Sequence, residues 1–419
     1  MIYAIDYGTS NSLLAAVKDG KSVDPIPLDR DNADPTVFRS LMFFPNEGGA
    51  VFGKAAIRAY DEKRAEGRLF RSVKKFLPIQ SFRGTMMGSD FYELSELIGR
   101  FLREMKSRAD TYFDQNVDSV ILGRPARFSL NDEDDRLAQE RLERAARFAG
   151  FKHIEFYPEP LAAAHEFRKH LTEEKMVLVV DLGGGTSDFT VLKLGPKPFK
   201  PSDVLAVGGT PVAGDALDSS IMTGKIAPYF GSEAKYRLPL SSNILTMPAD
   251  IKYKLGSPPD IALMTKVEVM SFLKSVQKAA LNDTDKQKID RLFTLIEDNL
   301  GFRIYESIET LKRDVCQGLK AIFDFPYPDI EIKTEFTPDE FHQMSAANIA
   351  KIFASMDETV KAAGVENSDI DLVCCTGGTA KVPEITRGLE ARFGKATIEQ
   401  FKNFHSVIQG LAEKAKSLT

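Results

Sequence analysis

The chain has 419 residues, 43% hydrophobic and 27% charged, a composition that suits two or three domains with sizeable cores. Its 55 Lys and Arg against 60 Asp and Glu give a net charge of −5, which argues against nucleic acid as a partner, because phosphate backbones are bound by basic faces. The longest stretch without a charged side chain, Leu238 to Ala249, has 12 residues, so no membrane span is predicted; no signal peptide is visible, and three cysteines that cannot all pair predict a reducing cytoplasm.

In chain order, Met1 to Ile5 and Leu13 to Val17 read as apolar strands around the turn Asp6-Tyr7-Gly8-Thr9. The stretch 53–76 is basic and carries Lys74 and Lys75 at its end. Helical spacing of Phe91, Leu94, Leu97, Ile98, Phe101, Leu102 and Met105 predicts a helix over 90–109. Val120 to Gly123 reads as a strand, 133–149 as a charged helix capped by Gly150, and Pro160 to Leu171 as a helix with proline in its first turn. Residues 176–194 form a second strand, turn and strand, whose turn starts 175 residues after the first (181 − 6) and suggests two related halves. The Pro-, Ser- and Gly-rich stretch 228–262 reads as an irregular insertion, 266–281 and 285–323 as long helices, and Thr337-Pro338-Asp339-Glu340 as the start of another. Asp371 to Thr376 is an apolar strand holding Cys374 and Cys375, and the tail after Gly410 a short polar helix. Strands and helices mix throughout, so the expected class is α/β.

The strongest local signal is Asp181-Leu182-Gly183-Gly184-Gly185-Thr186-Ser187-Asp188. Consecutive glycines let backbone N–H groups converge on a phosphate, the preceding acid can hold Mg²⁺ through water, and the threonine hydroxyl can donate to a phosphate oxygen. The competing reading is a tight hairpin that needs positive φ. Asp6-Tyr7-Gly8-Thr9-Ser10-Asn11 repeats the pattern of acid, glycine and hydroxyls, and the pair would clamp one phosphate chain. Two such hairpins resemble the superfamily of actin, hexokinase and heat-shock-chaperone ATPases.

Further motifs narrow the resemblance. Pro158-Glu159-Pro160-Leu161-Ala162-Ala163-Ala164 resembles the Glu-Pro-x-Ala-Ala-Ala signature of the 70-kDa heat-shock chaperones, although a small-residue helix that merely packs closely would look the same. Glu309, Lys312, Arg313 and Cys316 share one helical face and resemble that family's adenosine-binding helix, with cysteine in place of serine; a solvated charged face is the bland alternative. Thr376-Gly377-Gly378-Thr379-Ala380-Lys381 resembles its adenosine loop, with Lys381 replacing arginine, and Phe404 stands where the family has an adenosine-side aspartate. By register Lys74 matches the catalytic lysine, with Lys75 the close rival. Gly123-Arg124-Pro125-Ala126-Arg127-Phe128 resembles the loop whose proline couples nucleotide state to domain movement.

The resemblance implies a two-lobed actin-like ATPase fold of ribonuclease-H-like mixed sheets, with lobe I over 1–175, lobe II over 176–370 and a return segment over 371–419. Residues 219–300 match weakly and form a variable insertion. ATP or ADP with Mg²⁺ would bind in the cleft, the metal held through water by Asp6 and Asp181, and catalysis would rest on Lys74, Glu159, Asp181 and Thr186. The nucleotide contacts implied are Gly8, Thr9, Ser10, Asn11, Gly183, Gly184, Gly185, Gly214, Glu309, Lys312, Arg313, Cys316, Gly377, Gly378, Thr379 and Lys381. The expected function is an ATP-switched, weakly hydrolysing chaperone-like domain without a peptide-binding domain, whose further partner would be a co-chaperone or a client-supplying protein. An actin-like filament former and a small-molecule kinase share the clamp and stay open as alternatives.

Overall fold

The computed structural model describes residues 1–63, 66–129, 131–168, 171–197, 199–239, 242–318, 320–395, 398–400 and 405–418. Phe404 lies outside them. The chain is α/β, as its mixed pattern implies.

The first sheet is built around Ile2–Tyr7, an apolar strand buried at Tyr3, Ala4 and Ile5. It pairs antiparallel with Asn11–Lys18, which places Asp6 opposite Leu13, and parallel with Ser119–Arg124, which pairs in turn with His153–Pro158. The second sheet repeats this plan. Lys175–Leu182 pairs antiparallel with Ser187–Leu194, so that Asp181 faces Asp188, and parallel with Leu372–Thr376, where Asp181 meets Thr376. Val204–Thr210 and Ile398–Gln400 close its two edges. Both aspartates therefore stand at the carboxyl end of a central strand, where ligands of open α/β sheets gather.

Helices cover both faces of the first sheet. Leu94–Phe113 and Asp132–Phe148 bury Leu97, Phe101, Leu142 and Ala145 against Tyr3 and Ile5 on one side. The second of these starts on Asn131, whose side chain accepts from the N–H groups of Glu133 and Asp134, and its first turn is acidic, as the positive helix end favours. On the other side Glu159–Arg168 and Ser406–Lys416 pack Ala162 and Ala163 against Ile408, Leu411 and Ala415. A Cβ at Gly410 would overlap the Ala162 carbonyl, so the close approach of these two helices requires glycine there.

By contacts the chain divides into two units. One comprises Met1–Ala213 with Lys351–Thr419 and holds both sheets; the other is Gly214–Ala350. The second unit carries the helices Asp283–Glu297 and Gly301–Val315 and the hairpin Ala321–Tyr327 with Ile330–Phe336.

Several expected elements are corrected. Residues 90–109 begin with the strand Asp90–Glu93, and Phe91 points to solvent at 53% exposure; only Leu94 onward is helical. Helix 285–323 is two helices broken at Asn299, which takes φ 52°, and its last residues belong to the hairpin. The insertion 228–262 is not irregular throughout: it contains the helices Ala249–Leu255 and Pro258–Leu263. The tail is a half-buried amphipathic helix rather than a polar one, because its polar residues face outward while Val407, Ile408 and Leu411 seal the sheet. Among the described residues no helix is long and apolar enough to cross a membrane.

Candidate functional site

Five ionisable side chains meet in the first unit. The Lys74 ammonium bonds the Glu159 carboxylate at 2.8 Å, with only about a tenth of each side chain exposed. Asp6 and Asp181, at the ends of the two central strands, and Asp188, across the hairpin from Asp181, complete the group. Burial and the Glu159 charge push the Asp6 carboxyl up to about 7. Burial, then Glu159, Asp188 and Asp6, hold Asp181 well above the usual carboxylate range. Asp188 is raised to about 6, chiefly by burial, although the Thr186 hydroxyl donates to it at 2.8 Å. Burial opposes the Lys74 charge, but Glu159, Asp6 and Asp181 outweigh it and raise its pKa. Burial is the main cause of the raised carboxyls, and the excess of four carboxylates over one ammonium adds to it.

The two loops lie against each other. A Cβ at Gly185 would come 3.0 Å from the Thr9 methyl, so the Asp181–Asp188 turn touches the Asp6–Asn11 turn. The Ser10 hydroxyl is buried without a hydrogen-bond partner, an arrangement that costs free energy unless a ligand completes it. The segment is a tight hairpin, closed by the Gly183 N–H on the Thr186 carbonyl, but Gly183, Gly184 and Gly185 do not take the positive φ that would explain its glycines. At Gly183 the nearest obstacle to a Cβ is the Thr186 carbonyl at an ordinary 3.5 Å, so the protein's own packing does not demand glycine there. Gly377 is different. Its φ is 87°, and a Cβ would overlap the Leu182 carbonyl. Gly378 opens the next turn, and the Thr379 hydroxyl donates to the Gly183 carbonyl at 2.7 Å, which ties this loop to the glycine-rich one. Thr379 thus holds the loop in place, and Lys381 beside it is exposed.

Glu159 sits where expected, at the first residue of its helix, and Gly123 makes room for it: a Cβ there would lie 3.1 Å from its Cγ. Lys74 rather than Lys75 reaches the cluster; the Lys75 ammonium lies over the Phe76 ring. Asp188 ends the glycine-rich motif, and its place in the cluster follows from the strand register opposite Asp181. In the second unit Glu309, Lys312 and Arg313 lie on Gly301–Val315, with Cys316 just past its end. Lys312 is turned inward: its ammonium bonds buried Asp218 at 2.8 Å and the Gly214 carbonyl at 3.3 Å. Arg313 is exposed and donates to the Thr310 hydroxyl.

The donor set fits a hydrated divalent cation. Carboxylate oxygens are the ligands such ions prefer, and the raised carboxyls and the orphaned Ser10 hydroxyl mark what the cluster lacks. Among the described residues no group of three His, Cys, Asp or Glu side chains could hold a metal ion by itself. The family model described as Hsp70 protein matches residues 2–239 and 285–419, well over half of the sequence.

Proposed function

Since the chain belongs to the Hsp70 family, whose members are ATP-binding chaperones, we propose that its first unit binds ATP and ADP with Mg²⁺ and hydrolyses ATP slowly. The observation that carries this reading is the buried acid cluster around Lys74, placed where two Asp-Gly loops touch. Asp6 and Asp181 would hold the ion through water, and the ion would neutralise phosphate charge. The chain's own groups do the rest. Backbone N–H groups of Gly8 to Asn11 and of Gly184 and Gly185 cradle the phosphates, with Thr9 and the Ser10 hydroxyl as further donors, while the Gly183 N–H and the Thr186 hydroxyl hold the turn in shape through the Thr186 carbonyl and Asp188. Glu159 keeps the Lys74 ammonium oriented and protonated, so that it meets charge developing on the transferred phosphoryl group. Because little covalent chemistry is asked of the protein, positioning and electrostatics supply most of the rate.

Gly377, Gly378 and Lys381 are proposed adenosine contacts, with lobes over 1–175 and 176–370 and the return segment over 371–419. A co-chaperone or client-supplying protein would read the nucleotide state. Titration calorimetry with ADP or a non-hydrolysable ATP analogue should show Mg²⁺-dependent binding, and phosphate should appear from ATP without an acceptor. No binding of either nucleotide would overturn the proposal, and turnover only with an added hydroxyl compound would mean a kinase instead. Pelleting of the protein on ATP addition would point to filaments.

A further inference from the structure

Lys74 stands on a very short element. Its 3-10 turn, Val73–Phe76, is a single turn, and it follows Ser72, a buried serine in the left-handed region at φ 56° and ψ 36°. Such a conformation is costly for a residue with a Cβ and persists only where the surroundings impose it. On the far side of the turn lies Arg141, in the middle of Asp132–Phe148 and only 7% exposed. One nitrogen, Nη1, donates to the carbonyls of Phe76 at 3.3 Å, Leu77 at 2.8 Å and Ile79 at 2.9 Å. The same helix grips the segment a second time, where Gln80 donates to Asp134 at 2.8 Å. Val73 and Leu77 are buried in the core cluster that includes Leu142, so the turn is held by packing as well.

A buried guanidinium is an expensive way to fill a core, and Arg144 and Arg83 add repulsion to it. An apolar side chain of similar length would fill the space at lower cost, but it would take the guanidinium from the Leu77 carbonyl and the second donor from the Phe76 and Ile79 carbonyls, which otherwise accept only from the Ile79 and Phe82 N–H groups. The arginine therefore serves geometry: it sets where the turn ends, and with it where the Lys74 side chain begins.

We propose that Arg141 is a positioning residue for Lys74, its guanidinium locking the Val73–Phe76 turn so that the ammonium stays on Glu159 and faces the phosphate loops. This rests on the role of Lys74 given above. Arg141 acts on the orientation of the lysine and touches no ligand, so its loss should slow turnover while leaving nucleotide affinity nearly intact. Arg141→Met is expected to lower kcat 10- to 100-fold with the dissociation constant for Mg-ADP changed less than 3-fold. Because a single nitrogen makes all three bonds, Arg141→Lys should recover part of the lost rate. The double variant Lys74→Ala with Arg141→Met should be no slower than Lys74→Ala alone, since the lysine it positions is gone.

Mass spectrometry of acylation at Lys74 gives a readout independent of turnover and usable on a weakened variant: the ammonium should be modified slowly in the wild type, at least several-fold faster in Arg141→Met, and at a rate between the two in Arg141→Lys. Unchanged turnover and unchanged acylation in Arg141→Met would overturn the proposal, as would losses that multiply in the double variant. Wild-type turnover in Lys74→Ala would instead overturn the reading of Lys74 itself, and the positioning role with it.

Discussion

Lys74 holds a charge that several carboxylates favour and burial opposes, and its pKa is raised. Lys74→Ala should therefore cut kcat by about 10²- to 10³-fold, the size found when one donor to a developing negative charge is removed, with nucleotide affinity changed only a few-fold. Stopped-flow binding and single-turnover hydrolysis separate the two. The aspartates give a pH signature. Asp6 titrates near 7 and Asp188 near 6 in the folded chain, against about 3.9 unfolded. Between those values the native state keeps protons that the unfolded chain has released, so nucleotide-free stability falls as pH rises from about 4 to 7, by up to ~1.4 kcal/mol per pH unit per group. Asp34 and Glu340, held below the usual range, act in the opposite direction, so the comparison must be with a variant. Asp181→Asn relieves repulsion inside the cluster, so its melting temperature without nucleotide should be no lower than the wild type's at pH 7.5, and its stability should fall less steeply with pH. It should also lose the Mg-ATP-induced rise. A lower melting temperature with that rise intact would make Asp181 a structural cap.

At the scale of the turn, glycines with the same letter have different duties. Gly377 needs its left-handed φ and its missing side chain, because the Leu182 carbonyl occupies the space. Gly377→Ala should destabilise the fold by about 2 kcal/mol or more, read by denaturant midpoint, whether or not nucleotide is present. Gly183 has no such internal demand, so Gly183→Ala should melt within about 0.5 kcal/mol of the wild type yet weaken nucleotide binding at least 10-fold, because its Cβ would enter the space a phosphate needs. Equal melting with equal binding would remove the phosphate cradle from that loop. The glycine run and the Gly377-Gly378 loop were legible only as separate motifs, and the hydrogen bond from the Thr379 hydroxyl to the Gly183 carbonyl ties the two loops together.

At the scale of the molecule, the second unit has an ion pair of its own. Lys312 and Asp218 are both nearly buried, and removing the ammonium leaves a carboxylate in a poor solvent. Lys312→Met should lower stability by about 3 kcal/mol without any nucleotide, and Lys312→Met combined with Asp218→Asn should recover part of that loss. Thermal melts with and without Mg-ADP test this: a variant that melts like the wild type alone but loses the ligand-induced shift would make Lys312 a nucleotide contact first.

The sequence by itself determined the α/β class, the two acid-glycine turns, the position of Glu159 at its helix start and the family, because strand periodicity, glycine runs and ordered motifs are local signals that survive without coordinates. Where a residue's duty depends on what lies opposite, only the tertiary structure decided it. It put Lys74 rather than Lys75 on Glu159, turned Lys312 toward Asp218, placed Asp188 in the cluster and put Arg141 beneath the Val73–Phe76 turn. It also made strand of Asp90–Glu93 and split the predicted 285–323 helix at Asn299, since a tight hairpin with Gly84–Met87 and a single left-handed residue overrode a periodicity that continued across them.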